Sequence, residues 1–122
     1  MKVLLGIGGT DGSVDALDRT VTRAAEAGDD LTVAIVDSDD ADASHTELAD
    51  RVEAAVAATE LSVDVRHVEG EPGSALVDIA ESEGFDEIVL GGSTTSPMGK
   101  ITLNQTAEFV LLNSHVTVTL VR

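Results

Sequence analysis

Residues 2–7 read KVLLGI, and residues 86–90 read DEIVL. The first run is apolar after Lys2, and the second ends in three consecutive apolar residues, whereas a strand with one face in water alternates apolar with polar residues. Short apolar runs without alternation are typical of strands that are buried on both faces, as in a parallel sheet. These two stretches therefore predict the centre of an α/β fold.

The rest of the chain alternates between helical and extended patterns. Residues 31–36, 61–68 and 116–121 have strand patterns, and the alternation in 61–68 indicates a strand at a sheet edge. Apolar residues recur at helical spacing in the four segments that separate the strands. The order β-α-β-α-β-α-β-α-β with right-handed crossovers predicts one α/β domain, residues 1–122. We expect a doubly wound five-stranded parallel sheet, strand order 3-2-1-4-5, with helices on both faces.

Local signals suggest where the helices begin and end. Ser13 is the expected N-cap of the first helix, because its hydroxyl can accept a hydrogen bond from a free backbone N–H. Gly28 and Gly84 follow the first and third helical patterns, and glycine commonly ends a helix in the left-handed conformation. The segment of residues 91–100, which is polar and contains glycine, is expected to be a loop.

The charge balance excludes several classes of protein. Lys and Arg total 7 against 23 Asp and Glu, so the formal net charge is −16, and cysteine is absent. A field of that sign repels phosphate backbones and anionic lipids, so we expect no nucleic-acid partner and no membrane partner. Without cysteine there is neither a disulfide nor thiolate chemistry. No apolar run approaches the ~20 residues of a membrane span, so we expect a cytoplasmic domain.

Two loops have the composition of a binding site. Residues 8–13 follow the first strand, and residues 91–100 follow the fourth. In strand order 3-2-1-4-5 these loops are neighbours where the winding direction reverses, which is where open α/β sheets bind ligands. Glycine lets backbone N–H groups approach an anion, while serine hydroxyls and Lys100 could add donors and charge. Neither loop is a P-loop or a strict G-x-G-x-x-G, so ordinary turns remain the alternative.

Several pieces of the chain, taken in order, resemble the universal stress protein family over essentially its full length. They are Ile7-Gly8-Gly9-Thr10, the turn at residues 70–73, the aspartate-led strand at 86–91, Ala107-Glu108-Phe109-Val110 and the terminal residues 118–122. The resemblance implies a small cytoplasmic stress-response protein that forms a homodimer, commonly through the last strand, residues 116–121. It also implies a pocket in which Val36 lies against a base. The candidate binding residues are Gly8, Gly9, Thr10, Val36, Gly91, Gly92, Ser93, Ser96, Gly99 and Lys100.

The chain departs from the pattern of the family members that bind ATP. Those members resemble G-x2-G-x9-G-[ST] in the final loop; here the first glycine is Gly91, but the second falls at Thr94 and the closing pair at Asn104-Gln105. The aspartate that they carry in the first loop falls at Gly8. The resemblance thus leaves two interpretations. One is a stress-response module whose pocket binds nucleotide weakly or not at all. The other is an ATP sensor that uses ATP with Mg²⁺ and hydrolyses it slowly.

Other α/β functions find little support in the residues. Ser13, His115 and Asp37 could be assembled into a hydrolase triad on paper, but nothing resembles a G-x-S-x-G elbow. A phosphoaspartate receiver needs an acidic pair after the first strand, where this chain has Gly8-Gly9. A flavin site generally uses aromatic side chains, and Trp and Tyr are absent. We therefore assign no catalytic residue and no metal site from the sequence.

The large excess of acidic residues predicts that stability depends on salt. Carboxylates repel one another across the surface in dilute buffer, and molar salt shortens the screening length to ~3 Å. We expect the chain to suit a salt-rich cytoplasm, as in halophilic archaea, and its melting temperature to rise between dilute buffer and molar KCl. Thermal unfolding followed by circular dichroism measures this, and a melting temperature that does not rise would contradict it.

Overall fold

A computed structural model of the chain describes residues 1–7, 11–36, 45–57, 59, 63–68, 71–91, 94–95, 101–102 and 105–121. Seven strands and four helices lie in these ranges. In chain order they are β1 (Lys2–Ile7), α1 (Asp11–Ala27), β2 (Asp30–Val36), α2 (His45–Ala57), β3 (Val63–Val68), α3 (Pro72–Ser82), β4 (Glu87–Gly91), β5 (Thr94–Thr95), β6 (Ile101–Thr102), α4 (Gln105–Asn113) and β7 (Thr117–Val121).

Five of the strands form one parallel sheet in the order β3-β2-β1-β4-β7. With β7 as the fifth strand of the sheet, this is the predicted order 3-2-1-4-5, and the prediction is confirmed. In register, Ile7 of β1 lies beside Ile35 of β2, and Gly6 lies beside Leu90 of β4. The predicted edge position of residues 63–68 is also confirmed, because β3 has only β2 as a neighbour in this sheet.

The core is divided between the two faces of the sheet. On one face, Val3 and Leu5 of β1 pack in a cluster with residues of α1 and α2, among them Leu17, Val21 and Val52. On the other face, Leu4 of β1 packs with residues of α3 and α4. Leu4 and Leu5 are both completely buried, so β1 is covered on both faces of the sheet, as its continuous apolar run predicted.

The small antiparallel pair β5–β6 is a departure from the sequence prediction. Residues 94–95 fall in the segment expected to be a loop, yet Thr94 pairs with Thr102 and Thr95 with Ile101. All four residues are β-branched, which favours extended backbone and accounts for the ladder. A run of threonines beside glycine looks like a polar loop when it is read alone, because the apolar signal for a strand is missing.

The helix ends agree with the sequence better than the helix starts. Gly28 and Gly84 have φ angles of 72° and 71° and follow α1 and α3, as predicted. In each case the next residue returns a backbone N–H to the helix, from Asp29 to Ala24 O at 3.0 Å and from Phe85 to Ala80 O at 2.9 Å. This is the Schellman pattern, and it requires the left-handed residue that glycine supplies.

The start of α1 corrects one expectation. The helix begins at Asp11, so Ser13 lies inside its first turn and is not the N-cap. Leu17, Val21 and Ala24 of this helix are buried at helical spacing, whereas Ala25 is exposed.

Polar contacts tie the amino ends of β1 and β4 to α3. The Lys2 backbone N–H donates to Asp86 Oδ2 at 2.9 Å, and the Asp86 N–H donates to Lys2 O at 2.8 Å. The Lys2 ammonium donates to the carbonyl of Glu83 at 2.7 Å and lies 4.5 Å from the centroid of the Phe85 ring. A cation at this position complements the negative end of the α3 dipole.

An ion pair links the edge strand β3 to the end of α3. Both terminal nitrogens of Arg66 donate to the carboxylate of Glu83, one on each oxygen. This bidentate pairing raises the pKa of the Arg66 guanidinium and holds the pKa of the Glu83 carboxyl below its usual value. Because the depressed pKa favours the ionised carboxylate, the contribution of this pair to stability is present at neutral pH and is lost as the pH falls through that lowered pKa.

Gly6 is the position at which α3 comes closest to the sheet. A Cβ added there would lie 2.8 Å from Leu76 Cδ1 and 3.0 Å from Leu90 Cδ2. Leu76 is completely buried and Leu90 nearly so, so neither side chain can turn into solvent. The glycine thus sets the distance at which Leu76 of α3 packs against β1 and β4.

We expect Gly6→Ala to lower the free energy of unfolding by about 1–2 kcal/mol, because overpacking outweighs the reduced backbone entropy of the unfolded chain. Chemical denaturation measures this. Leu76→Ala opens the same space, so the double variant should lose less than the sum of the two single losses. Additive losses, or a stabilising Gly6→Ala, would show that the close approach does not constrain the fold.

Candidate functional site

The carboxyl edge of the sheet brings together the ends of three neighbouring strands. β1 ends at Ile7, β2 at Val36 and β4 at Gly91. Ile7 is level with Ile35, and Gly6 with Leu90, so the three strand ends lie within one residue of the same height. The chain leaves β1 toward β2 on one side and reaches β4 on the other. The gap between these connections is therefore the switch point at which α/β sheets bind ligands.

Two helix N-termini follow these strand ends. α1 begins at Asp11, four residues after the end of β1, and α4 begins at Gln105, after the β5–β6 pair. The first N–H groups of a helix have no partner inside the helix and carry the positive end of its dipole. In a parallel α/β sheet both N-termini lie at the carboxyl edge, so the backbone there favours a negatively charged or hydrogen-bond-accepting group.

The structure describes two of the ten predicted site residues. Gly91 is the last residue of β4 and pairs with Val121 of β7. Val36 ends β2 and is 7% exposed, and its side chain belongs to the apolar cluster on the α3 and α4 face. The other predicted residues, Gly8, Gly9, Thr10, Gly92, Ser93, Ser96, Gly99 and Lys100, lie outside the described residues.

Two positions at which the nucleotide motif is interrupted are described. Thr94, which stands where the motif has its second glycine, lies in β5 opposite Thr102. Gln105, which stands where the motif has a small hydroxyl residue, is the first residue of α4. The backbone N–H groups at a helix start are the ones available to an anion.

Two residues of the hypothetical hydrolase triad, Ser13 and His115, lie far apart in the structure. Ser13 lies in the first turn of α1, at the carboxyl edge, whereas His115 precedes the amino end of β7. The Nδ1 of His115 lies 2.9 Å from Glu81 Oε1, on α3. A strand of five residues spans about 17 Å, so these two residues lie at opposite ends of the strands. Asp37 lies outside the described residues.

A second concave region was not anticipated from the sequence. A cavity of about 290 Å³ lies between α1 and strands β1, β4 and β7, and the buried Glu87 is part of its lining. In the sequence, Glu87 stands next to the apolar residues 88–90, and the pattern by itself indicates only the start of a strand. This cavity is separate from the switch point, because Glu87 is at the amino end of β4.

The side chains that the structure describes include no group of three or more His, Asp or Glu residues placed to hold a metal ion. None of the helices in the described ranges has the length and apolarity to span a bilayer.

The sequence model of the universal stress protein family matches residues 1–122. The chain belongs to this family. The structure of a universal stress protein from Archaeoglobus fulgidus superimposes with a TM-score of 0.80 at 18% identity, covering 100% of this chain and 98% of the other. No curated protein matches the sequence.

Two further structures of similar fold contain a nucleotide. A universal stress protein in complex with cAMP superimposes with a TM-score of 0.77 at 23% identity, covering 100% of this chain and 96% of the other. A universal stress protein from Archaeoglobus fulgidus in complex with dAMP has a TM-score of 0.74 at 14% identity, covering 100% and 98%. At these identities the likeness establishes the shared fold, a five-stranded doubly wound sheet.

Proposed function

We propose that this universal stress protein is a cytoplasmic stress-response module that acts as a homodimer and whose switch-point pocket binds adenine nucleotides weakly or not at all. The observation that carries the proposal is the pairing of an intact family fold with an interrupted nucleotide motif. The fold retains the reversal between β1 and β4 and the two helix N-termini at the carboxyl edge. At three positions of the nucleotide motif the sequence has other residues, Gly8, Thr94 and Gln105.

Three departures weaken the pocket for separate physical reasons. Gly8 removes a carboxylate that would accept hydrogen bonds from a bound nucleoside, and Thr94 adds a side chain where a phosphate would approach the backbone. Gln105 replaces a small hydroxyl at the start of α4. Each lost interaction is worth about 1 kcal/mol of binding free energy. Together the three losses weaken nucleotide binding about a hundredfold compared with a family member that has the full motif.

A nucleotide sensor with slow ATP hydrolysis is the second candidate. It is favoured by the universal stress proteins of similar fold that hold cAMP and dAMP. In such a sensor ATP with Mg²⁺ would lie between the loops that follow β1 and β4. The ends of β1 and β4 and the starts of α1 and α4 at the carboxyl edge support this candidate.

Calorimetric titration of ATP and Mg²⁺ into nucleotide-free protein in molar KCl separates the two candidates. We expect no binding at micromolar ATP and at most weak heat at millimolar ATP. Gly8→Asp and Thr94→Gly restore motif positions, and each is expected to tighten binding about fivefold. Thr95→Gly is the matched control, because it changes the same β5 ladder outside the motif. Micromolar affinity in the unaltered chain would overturn weak binding in favour of the sensor.

The homodimer is supported by the composition of the β7 edge. Val118, Leu120 and Val121 are only half-buried, and β7 has β4 as its single neighbour in the sheet. Beside it, Leu111 on α4 is exposed, and Leu112 on the same helix is 84% exposed. An edge strand with apolar side chains and free backbone groups pairs readily with a second copy of itself. The apolar residues of α4 would extend that contact beyond the strand.

We expect Val118→Lys to leave a folded protein that sediments as a monomer, because a buried ammonium at a symmetric interface faces its own copy. Analytical ultracentrifugation measures the change, and circular dichroism confirms folding. Val65→Lys is the matched control: Val65 is a valine 37% exposed on the opposite edge strand, β3, and its replacement should leave the dimer intact. A dimer that persists in Val118→Lys, or a wild-type monomer, would contradict an interface through β7.

A further inference from the structure

Glu87 is a buried carboxylate that lies away from the switch-point pocket. It is the first residue of β4 and is 4% exposed, and its side chain lies on the α1 face of the sheet. The hydroxyl of Thr119 donates to its Oε1, and the same oxygen lies 3.7 Å from Nη1 of Arg23. Within the part of the chain that the structure describes, Oε2 of Glu87 accepts no hydrogen bond.

A carboxylate oxygen in this position needs a donor. Burying an ionised group is expensive unless its hydrogen-bonding capacity is satisfied, and buried polar atoms nearly always have a partner. Glu87 lines the cavity of about 290 Å³ between α1 and the sheet. The cavity is therefore the direction from which a donor can reach Oε2.

Two positively charged side chains lie at the mouth of the same cavity. Arg19 and Arg23 lie one turn apart on α1, both are exposed, and both line the cavity. Asp29 also lines it, but its carboxylate lies 3.2 Å from the amino group of Met1 and is thereby neutralised. Arg23 is paired with Oε1 of Glu87 at 3.7 Å, so the charged groups that remain for a ligand are Oε2 of Glu87 at depth, the guanidinium of Arg19 and the rest of the Arg23 guanidinium at the mouth.

The rest of the lining is apolar or weakly polar. Val3, Ala24, Val89 and Val121 provide aliphatic surface, and Thr20 provides one nearly buried hydroxyl. A volume of about 290 Å³ is at the lower end of ligand pockets. The cavity consequently suits a molecule of a few carbon atoms that carries both charges.

We propose that this cavity binds a small aliphatic α-amino acid, with its ammonium group on Oε2 of Glu87 and its carboxylate on Arg23 and Arg19. The separation of 3.7 Å between Arg23 Nη1 and Glu87 Oε1 places opposite charges side by side, as the two charged groups of an α-amino acid are. Charge-assisted hydrogen bonds at both ends set the orientation. A phosphate would be repelled by Glu87, and a simple amine would leave the guanidinium groups without an anion.

This site is separate from the proposed nucleotide pocket, and its charged groups lie on β4 and α1 and not on the β7 edge proposed for the dimer. Glu87 begins β4 and Gly91 ends it, a separation of about 13 Å along the strand. Val118, whose replacement tests the dimer, packs with the cluster on the opposite face of the sheet. Failure of nucleotide binding or of dimerisation therefore leaves the amino-acid site testable.

Titration of L-valine, followed in ¹H–¹⁵N NMR spectra, tests the proposal. We expect saturable shifts at the amides of Thr20, Val89 and Thr119, with a dissociation constant of about 1 mM or tighter. Isobutylamine and isovalerate carry only one of the two charges each, and each should bind at least about tenfold more weakly. No saturable shift with L-valine, or equal binding of either singly charged probe, would overturn the zwitterion site.

Two variants place the ligand on the named residues. Glu87→Gln keeps the shape of the side chain and removes its charge, and Arg23→Gln removes the positive charge of an exposed side chain that lies 3.7 Å from Oε1 of Glu87. Each should weaken L-valine binding about tenfold or more. Glu81→Gln, on α3 and remote from the cavity, is the matched control. If Glu87→Gln does not fold, Arg23→Gln alone decides, and unchanged binding in that variant would refute the assignment.

Discussion

The burial of β1 on both faces is the constraint on which the other features depend. Leu4 and Leu5 are consecutive residues, and each is completely buried against a different helical layer. A strand of this kind requires helices on both sides of the sheet, and right-handed crossovers supply them only if the chain winds outward from β1 in both directions. The reversal between β1 and β4, and with it the switch-point crevice, follows from that requirement. Gly6, on the same strand, sets how closely α3 can cover it.

The two edge strands of the sheet, β3 and β7, differ in the charge of their side chains. β3 carries Asp64, Arg66 and His67, and Arg66 is held by Glu83 of α3. Charged side chains on an edge strand discourage pairing with another chain. β7 instead carries two threonines and three apolar residues, without a charge among residues 117–121. The asymmetry has a physical consequence: a second copy meets less resistance at β7 than at β3. This is why the proposed interface involves one edge and leaves the other in water.

Sequence patterns predicted those parts of the fold that depend on local chemistry. The continuous apolar runs identified β1 and β4, and Gly28 and Gly84 identified the ends of α1 and α3. The β5–β6 pair was missed because threonines in a glycine-bearing segment lack the apolar alternation of a strand. The cavity at Glu87 was missed for a different reason. The sequence pattern predicts that a glutamate at the start of a strand is exposed. Glu87 is buried because α1 and β7 pack against it, and these tertiary contacts cannot be predicted from the local sequence. Of the switch-point site, Val36 and Gly91 lie at the expected strand ends, while their partners in the loops lie outside the described residues.

The positions of the cations show how such an acidic chain can remain folded. The sequence has only seven Lys and Arg residues, and Lys2, Arg23 and Arg66 each lie against a specific acceptor. The Lys2 ammonium is 2.7 Å from the Glu83 carbonyl, a separation shorter than the ~3 Å screening length of molar salt. Repulsion among dispersed surface carboxylates acts over longer distances and is screened first. High salt therefore weakens the unfavourable interactions more than the favourable ones, and the difference grows with the number of acids. Under those conditions the scarce cations are most effective at short range, where Glu83 and Glu87 are found.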